Sequence, residues 1–216
     1  MKQISDLLNE KGRDVWSLPP DATVYDAIDQ MAEKGVGALL VMEGERLVGI
    51  VSDRDLKRAM ASPATALERH ELAYLLEKVP VEEIMTRAVI TAVAELPVEE
   101  AARLMVKEKI SALPVTAEGR LVGIVTETDV LNLFVRAMGA GEPSSRLDIL
   151  LPEGSASLGE VVAAIEDAHA GIASIVTLPG HNGRRDVVAR VRTIDPGPAI
   201  KRLEARGFVV RNPWRG

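Results

Sequence analysis

Two short segments of the chain place a hydroxyl and a carboxylate three residues apart. Ser52 precedes Asp55, and Thr126 precedes Asp129, at the same interval. Each pair follows the run Val-Gly-Ile-Val, which is long enough for a buried strand and too short for a helix. Ser and Thr are favoured immediately before a helix, where exposed backbone N–H groups attract anions such as phosphate. The spacing therefore predicts two strand-to-helix junctions, each suited to binding an anion.

These segments belong to an internal duplication. Residues 46–55 return as residues 120–129, an offset of 74 positions (120 minus 46). The register holds upstream as far as Val15, which falls on Val89. A repeat that keeps one register over such a span indicates two copies of one fold unit.

The same elements are predicted in both copies. In the first, apolar residues at 24, 27, 28 and 31 lie on one face of a helix that Gly35 ends. A strand over residues 15–18 is expected before this helix. The apolar run at residues 38–42 then pairs with Val-Gly-Ile-Val as a hairpin, because a Gly-containing turn joins the two runs.

This combination resembles the cystathionine β-synthase (CBS) domain pair. The matching features are a Gly-Ile-Val strand followed by Ser/Thr-x-x-Asp, twice, with Ala-Leu-Pro-Val at residues 112–115 before the second copy. The resemblance covers roughly residues 1–138. It implies that the repeats pack as one pseudo-twofold module (a Bateman module) with two clefts, which bind adenine nucleotides in many family members.

The resemblance also implies which residues contact a nucleotide. The regulatory ligand would be AMP, ADP or ATP, and no other cofactor is expected. The hydroxyl and carboxylate pairs would contact ribose and phosphate, whereas apolar residues and backbone groups would contact the base. The expected contacts are Ser52, Asp55, Val15, Trp16, Ala38 and Leu39 from the first copy, and Thr126, Asp129, Val89, Ile90, Ala112 and Leu113 from the second. One departure is that the family's Met-Thr, present as Met85-Thr86, is replaced by Lys11-Gly12 in the first copy.

Arg54 distinguishes the two copies, because the matching residue of the second copy is the uncharged Thr128. An Arg beside Asp55 could donate to a phosphate with its planar guanidinium, or it could be a solvated surface residue. In the first case the two clefts differ in charge, and so in their preference among mono-, di- and triphosphates.

The composition argues against several classes of protein. The 216 residues include no cysteine, 47% hydrophobic and only 3% aromatic residues, so the cores are expected to be aliphatic and free of disulfides. The net charge of −6 argues against a nucleic-acid partner. No apolar run approaches a membrane span, and a cytoplasmic protein is expected.

The C-terminal third is predicted to form a separate domain after a linker at residues 139–145. Residues 146–216 hold 10 Lys and Arg and 8 Asp and Glu, a net charge of +2, which leaves −8 for residues 1–145. The pattern predicts strand, helix, strand, an Asn182-Gly183 turn, strand, helix and strand, the ferredoxin-like βαββαβ order. This stretch resembles the ACT domain, a module that often binds amino acids, although Gly154 lies four residues before Leu158 rather than the usual two.

The expected fold class is α/β (α+β), with a tandem CBS pair followed by a ferredoxin-like, ACT-type domain. The domains are residues 1–79, a CBS repeat with an inter-repeat helix, and residues 80–138, a second CBS repeat, followed by the linker and residues 146–216. Together with the sequence at residues 70–76, this arrangement resembles the AcuB-type acetoin utilisation proteins. His70 in that segment is expected to be exposed or a helix cap, with a phosphate or metal contact as the alternative.

Three functions compete for this chain. The first is a non-catalytic sensor of adenine nucleotides, with amino-acid sensing by the ACT-like domain as an addition. The second is an enzyme, but the three histidines are scattered and no nucleophile, base or metal-ligand set is recognisable, so no catalytic or metal residue is assigned. The third is an interaction protein with degenerate clefts, or an accessory protein of acetoin metabolism. A homodimer is expected through aliphatic helix faces around Leu104, Met105, Leu131, Leu133 and Phe134, and a further protein partner is unidentified.

Overall fold

The computed structural model describes residues 2–61, 74–151, 158–180 and 185–211. The chain divides into two compact units, Met1–Val130 and Leu131–Gly216. Several sequence predictions lie outside the described residues, namely most of the inter-repeat helix with His70, Gly154, and the Asn182-Gly183 turn.

The first unit contains the two repeats, each built from the same series of elements. The first has α1 (Ile4–Lys11), β1 (Ser17–Leu18), α2 (Val24–Lys34), β2 (Ala38–Glu43), β3 (Arg46–Ser52) and α3 (Asp53–Ala61). The second has a 3-10 helix (Val81–Glu83), β4 (Ala92–Val93), α4 (Val98–Glu108), β5 (Ala112–Ala117), β6 (Arg120–Thr126) and α5 (Glu127–Ala137). The predicted hairpins are confirmed, and α5 continues into the second unit.

Each repeat forms a three-stranded sheet with the same pairing. In the order β1-β2-β3 and β4-β5-β6, the first two strands run parallel and the last two antiparallel. Both hairpins shift register at matching places, between Val41 and Met42 and between Val115 and Thr116. The duplication therefore preserves backbone irregularities as well as residues.

The first strand is shorter than the sequence predicts. Only Ser17 and Leu18 pair with β2, and the expected strand over residues 15–18 begins two residues late. The carbonyl of Trp16 nevertheless accepts a hydrogen bond from the backbone N–H of Leu40, at 3.0 Å. Val15 and Trp16 thus approach the sheet edge without becoming part of a regular strand.

Helix α2 shows why the sequence forms a helix here. The Thr23 hydroxyl accepts from the backbone N–H of Asp26, the Asp26 carboxylate accepts from Thr23, and Gly35 ends the helix with a φ of 64°. The face with Val24 and Met31 is buried. In α4 the matching Met105 is only 1% exposed, so the prediction that it belongs to an exposed apolar face is wrong. The helical period brings it to the core side with Val98 and Ala101.

The residues that precede the sheet of each repeat, here called its leading segment, pack on the other repeat. The leading segment of the second repeat contains Val81 and Met85. Both lie in the core of the first repeat, with residues such as Val24 and Leu39. The backbone of Thr86 also forms two hydrogen bonds with Ile50 of β3, at 2.9 and 3.1 Å. The second repeat's leading segment therefore completes the first repeat.

Helix α1 makes the reciprocal contact with the second repeat. The backbone N–H groups of Ile4 and Ser5 donate to the carbonyls of Leu96 and Ala94, at 3.0 and 2.8 Å. The Leu8 side chain lies so close to β6 that a Cβ at Gly123 would come within 2.8 Å of it. At the matching Gly49, a Cβ would overlap the Met85 side chain.

The second unit is an antiparallel sheet with two helices. Its elements are β7 (Ser145–Leu150), α6 (Leu158–Glu166), β8 (Ile172–Pro179), β9 (Arg185–Val191), α7 (Gly197–Ala205) and β10 (Val209–Arg211). The strand order is β10-β7-β9-β8. Both helices bury apolar residues in one core, which includes Leu147, Val161, Ile165, Leu203 and Phe208. The element order agrees with the prediction, although β7 begins one residue earlier and α6 ends four residues earlier than expected.

We expect Leu8→Ala to destabilise the first unit. Leu8 is 1% exposed, and truncating a fully buried Leu costs about 2–5 kcal/mol. Urea unfolding followed by far-UV circular dichroism measures this cost. Ile194→Ala is the control, because Ile194 is 89% exposed and its truncation should change the unfolding free energy by less than about 0.5 kcal/mol. Equal stability of the two variants would contradict the proposed packing of α1 on the second repeat.

Candidate functional site

Each predicted hydroxyl and carboxylate pair lies at a strand-to-helix junction. At the first junction, Asp55 Oδ2 accepts from the backbone N–H of Ser52 at 2.9 Å and from its hydroxyl at 2.6 Å. At the second, Asp129 Oδ2 accepts from the N–H and hydroxyl of Thr126, both at 2.8 Å. A carboxylate offers about four lone-pair sites on two oxygens. Oδ1 of each Asp can therefore accept from a ligand while Oδ2 keeps its bonds.

The same geometry occurs at a third place, where it serves only as a helix cap. Asp26 Oδ2 accepts from the N–H and hydroxyl of Thr23, both at 2.8 Å. The backbone N–H of Thr23, and then its hydroxyl, hold the pKa of Asp26 below its ordinary value of 3.8. Neither residue lines a cavity described below. The Ser/Thr-x-x-Asp pattern alone therefore identifies a cap, and a neighbouring cavity is what distinguishes Asp55 and Asp129.

The first junction opens into a cavity of about 340 Å³, here called the Asp55 cavity. This volume lies in the range of small-molecule sites. Its polar walls come from α3 and from the end of α4, and its apolar wall comes from the segment before β4. The lining residues are Ala38, Ile50, Ser52, Arg54, Asp55, Arg58, Thr86, Ala88, Val89, Ile90, Glu108, Lys109, Ile110, Ser111 and Ala112.

The second junction opens into a cavity of about 550 Å³, here called the Asp129 cavity. Its walls come from the first turn of α5 and from the segment that follows α1. The lining residues are Lys11, Gly12, Asp14, Trp16, Gly35, Val36, Gly37, Ala38, Asp53, Ser111, Ala112, Ile124, Thr126, Glu127, Thr128 and Asp129.

The exchange of leading segments determines which predicted residues meet. Asp55 of the first repeat shares its cavity with Val89 and Ile90, which precede β4 of the second repeat. Asp129 of the second repeat shares its cavity with Trp16, which precedes β1 of the first. Ala38 and Ala112 line both cavities, whereas other predicted residues line neither. Those residues are Val15, which is half-buried, and Leu39 and Leu113, whose side chains are fully buried.

Charged residues that the sequence did not single out as ligand contacts also line the cavities. Lys11 Nζ lies 3.1 Å from Asp129 Oδ2, as an ion pair between α1 and α5. The sequence signal was the replacement of the family's Met-Thr by Lys11-Gly12. In the Asp55 cavity, Arg58 and Lys109 add to the charge of Arg54. Arg58 follows Arg54 by one helical turn, which could have placed both on one face.

Arg54 connects the two repeats. Its Nη1 donates to the carbonyl of Lys109, at 3.1 Å, across 55 positions of sequence. Lys109 ends α4 with a φ of 57°, which directs this carbonyl away from the helix ladder. An exposed guanidinium with five N–H donors can keep this bond and still donate to a phosphate.

Other kinds of site are not found in the part of the chain that the structure describes. Within residues 2–61, 74–151, 158–180 and 185–211, no group of three or more His, Cys, Asp or Glu side chains could hold a metal ion. Over the same residues, no helix is long and apolar enough to cross a membrane.

The fold and the paired junctions agree with comparison to known families. A profile of the CBS domain matches residues 4–62 and 81–136, which together make up more than half of the 216 residues. The chain therefore belongs to the CBS domain family, and it contains the domain twice.

Solved structures extend this likeness. The CBS domain pair of the protein MJ0100, in complex with 5′-methylthioadenosine and S-adenosyl-L-methionine, is 28% identical with a TM-score of 0.52. The match covers 66% of this chain and 99% of that one. A Vibrio cholerae protein described as an acetoin utilization protein (AcuB) is 27% identical with a TM-score of 0.52, covering 65% of this chain and 96% of its own.

One similar protein is an enzyme. The A-adding tRNA nucleotidyltransferase of Geobacter sulfurreducens is 31% identical over 117 residues, which are 54% of this chain. The chain matches only 12% of the length of that enzyme. The likeness is therefore confined to a small part of the enzyme.

The third Ser/Thr-x-x-Asp pair, Thr23 and Asp26, predicts how the stability of the fold depends on pH. Because the folded-state pKa of Asp26 is lowered from 3.8, its ionised form stabilises the fold above that value. This stabilisation is lost as the pH falls through the lower, folded-state pKa. We expect Asp26→Asn to lower the melting temperature at pH 7, with the difference from wild type shrinking below about pH 4.

Thr23→Ala removes the matching hydroxyl and should cost about 1 kcal/mol of unfolding free energy at pH 7. Thermal unfolding of both variants between pH 3 and 7 provides the measurement. A difference between Asp26→Asn and wild type that grows towards pH 3 would contradict this account of the cap.

Proposed function

We propose that this protein is a non-catalytic regulator that binds adenosine-containing ligands in its two cavities, with an adenine nucleotide (AMP, ADP or ATP) in the Asp55 cavity. The observation that carries the proposal is the pairing of each strand-to-helix junction with a cavity of small-molecule size. The adenosyl ligands of the similar MJ0100 domain pair support adenosine as the shared chemistry.

The Asp55 cavity offers a separate group for each part of a nucleotide. Asp55 Oδ1 accepts from the ribose hydroxyls, as a carboxylate can accept from two neighbouring donors. The first turn of α3 and the guanidinium groups of Arg54 and Arg58 provide donors and positive charge for phosphates. The base lies against Val89 and Ile90.

A regulatory role is favoured over catalysis. Among the lining residues of both cavities there is no His or Cys, and the carboxylates lie beside hydroxyls that already cap helices. The linings therefore show no Cys nucleophile and no imidazole base beside a hydroxyl, and ligand binding is the function that they support best. The likeness to AcuB supports the same regulatory class, and acetoin metabolism is one setting in which it would act.

The second unit is proposed to be a ferredoxin-like domain of the ACT type. Its βαββαβ element order and the strand order β10-β7-β9-β8 support this proposal. All lining residues of both cavities precede Leu131, so nucleotide binding is assigned to the first unit. Amino-acid sensing by the second unit would be an additional function.

A competing function is that of an interaction protein with degenerate cavities. The Thr23 and Asp26 pair favours this alternative, because it shows the same hydrogen bonds and lines neither cavity. Ligand titration distinguishes the sensor from the interaction protein, since a helix cap contributes to stability but not to ligand affinity.

We expect Asp55→Ala to weaken nucleotide binding. Removing a charged hydrogen-bond partner costs about 1.5–3 kcal/mol, which is about a ten- to hundredfold loss of affinity. The loss of affinity is measured by calorimetric titration of AMP, ADP and ATP against wild type, Asp55→Ala, Asp129→Ala and the double variant. Asp55→Ala and the double variant should lose this binding, whereas Asp129→Ala should keep it.

The matched control for this titration is Asp26→Ala, which breaks the same capping geometry outside the cavities. It should lower stability and leave every affinity unchanged. If wild type binds none of the nucleotides, the proposed sensor function is wrong. If the double variant binds as tightly as Asp26→Ala, the assignment of Asp55 and Asp129 is wrong.

A homodimer is proposed from exposed apolar residues on two helices. Val106 of α4 is 77% exposed, and Leu131, Phe134 and Val135 of α5 are 62%, 42% and 50% exposed. Sedimentation equilibrium at micromolar concentration should give twice the chain mass, and Leu131→Asp should shift the equilibrium towards monomer. A monomeric wild type, with and without nucleotide, would rule the dimer out.

A further inference from the structure

The duplication allows the charge of the two cavities to be compared position by position. Residues 74 positions apart take matching places in the two linings, as Asp55 and Asp129 do. Three of these matched pairs differ in charge, and all three differences make the Asp129 cavity more negative. Arg54 is matched by Thr128, Lys109 by Gly35, and Ala88 by Asp14.

These differences affect charge without changing the backbone. Lys109 and Gly35 both end a helix in the left-handed region, with φ of 57° and 64°. The backbone is therefore the same at the two positions, and the difference between them is that the Asp129 cavity lacks the cation that Lys109 gives the Asp55 cavity.

The summed charges of the residues that line the two cavities have opposite sign. The Asp55 cavity has three cations (Arg54, Arg58, Lys109) and two carboxylates (Asp55, Glu108), a net charge of +1. The Asp129 cavity has one cation (Lys11) and four carboxylates (Asp14, Asp53, Glu127, Asp129), a net charge of −3.

Neighbouring charges reduce this difference but do not remove it. Lys57, outside the lining, pairs with Asp53 at 2.8 Å and is the main cause of its lowered pKa. Counting Lys57, and also Lys34 beside Trp16, still leaves the Asp129 cavity with one more carboxylate than cations. Lys11 is already paired with Asp129 at 3.1 Å, so a phosphate there would have to draw it away from that carboxylate.

We propose, building on the proposed function, that the Asp129 cavity prefers a nucleoside with a cationic 5′ substituent over one with an uncharged 5′ substituent, whereas phosphorylated nucleotides occupy the Asp55 cavity. A phosphate in the Asp129 cavity would meet several carboxylates, and like charges at close range raise the free energy of binding. A cationic 5′ group would be attracted by the same residues. Among the described residues, these carboxylates form no group of three or more that could hold a metal ion.

Trp16 gives this cavity an aromatic wall that the other cavity lacks. The matching residue of the Asp55 cavity is Ile90. Trp16 is 40% exposed, and the Lys34 ammonium lies 4.8 Å from the centre of its ring. A purine stacked on the free part of the ring would change its fluorescence.

The test uses two ligands that differ mainly by one charge. S-adenosylmethionine has a positive sulfonium at the 5′ position, and S-adenosylhomocysteine has a neutral thioether there. The full chain has two tryptophans, so Trp214→Phe leaves Trp16 as the only reporter. In this background we expect S-adenosylmethionine to change Trp16 fluorescence and to bind about tenfold more tightly than S-adenosylhomocysteine, a difference of about 1.4 kcal/mol.

Site variants then assign each ligand to a cavity. Asp129→Ala should abolish the response to S-adenosylmethionine, and Asp55→Ala should leave it unchanged. Binding of AMP, measured by calorimetry, should instead be abolished by Asp55→Ala and unchanged in Asp129→Ala. Asp14→Ala with Thr128→Arg copies the residues of the other cavity, and this double variant should lose the preference for the sulfonium and gain a second AMP site. Melting temperatures confirm that each variant is folded.

Three results would overturn this proposal. The first is AMP binding with equal affinity in both cavities of wild type. The second is S-adenosylmethionine binding that depends on Asp55 rather than Asp129. The third is equal affinity for the sulfonium and the thioether. Each of these leaves adenosine binding by the protein intact, whereas failure to bind any adenosine ligand would refute the proposed function as well.

Discussion

The close packing of each leading segment against the other repeat is the constraint on which the first unit depends. Helix α1 reaches the second repeat because β6 has Gly123 where a side chain would collide with Leu8. The segment before β4 reaches the first repeat because β3 has Gly49 beside Met85. Both cavities follow from this exchange, since neither repeat alone supplies a junction and its facing wall.

The exchange could not have been predicted from the sequence. The 74-residue register and the apolar periods correctly gave the hairpins and the buried face of α2, because these depend on contacts within one repeat. Pairing between repeats depends on contacts across more than 50 positions, such as that from Arg54 to Lys109. Two nearly identical copies also offer nearly identical local signals, so the sequence cannot distinguish a leading segment that packs on its own repeat from one that packs on the other.

The same holds for individual residues, since those whose roles depend on near neighbours in the sequence were predicted better than those whose roles depend on distant contacts. Ser52, Asp55, Thr126 and Asp129 were identified because their roles at a helix start are set by neighbours three positions away. Met105 was placed on an exposed face although it is buried, because its neighbours come from the rest of the fold. Asp26 shows a further limit, since its bonds match those of Asp55 although it lines neither of the two cavities.

A crystal structure of the chain with AMP would test most directly the claim that each site combines both repeats. The account predicts ribose hydroxyls within hydrogen-bond distance of Asp55 Oδ1 and the adenine against Val89 and Ile90, from the segment before the second repeat. An adenine resting against Trp16 while its ribose contacts Asp55 would contradict the exchange. So would AMP bound only at sites that include neither Asp55 nor Asp129.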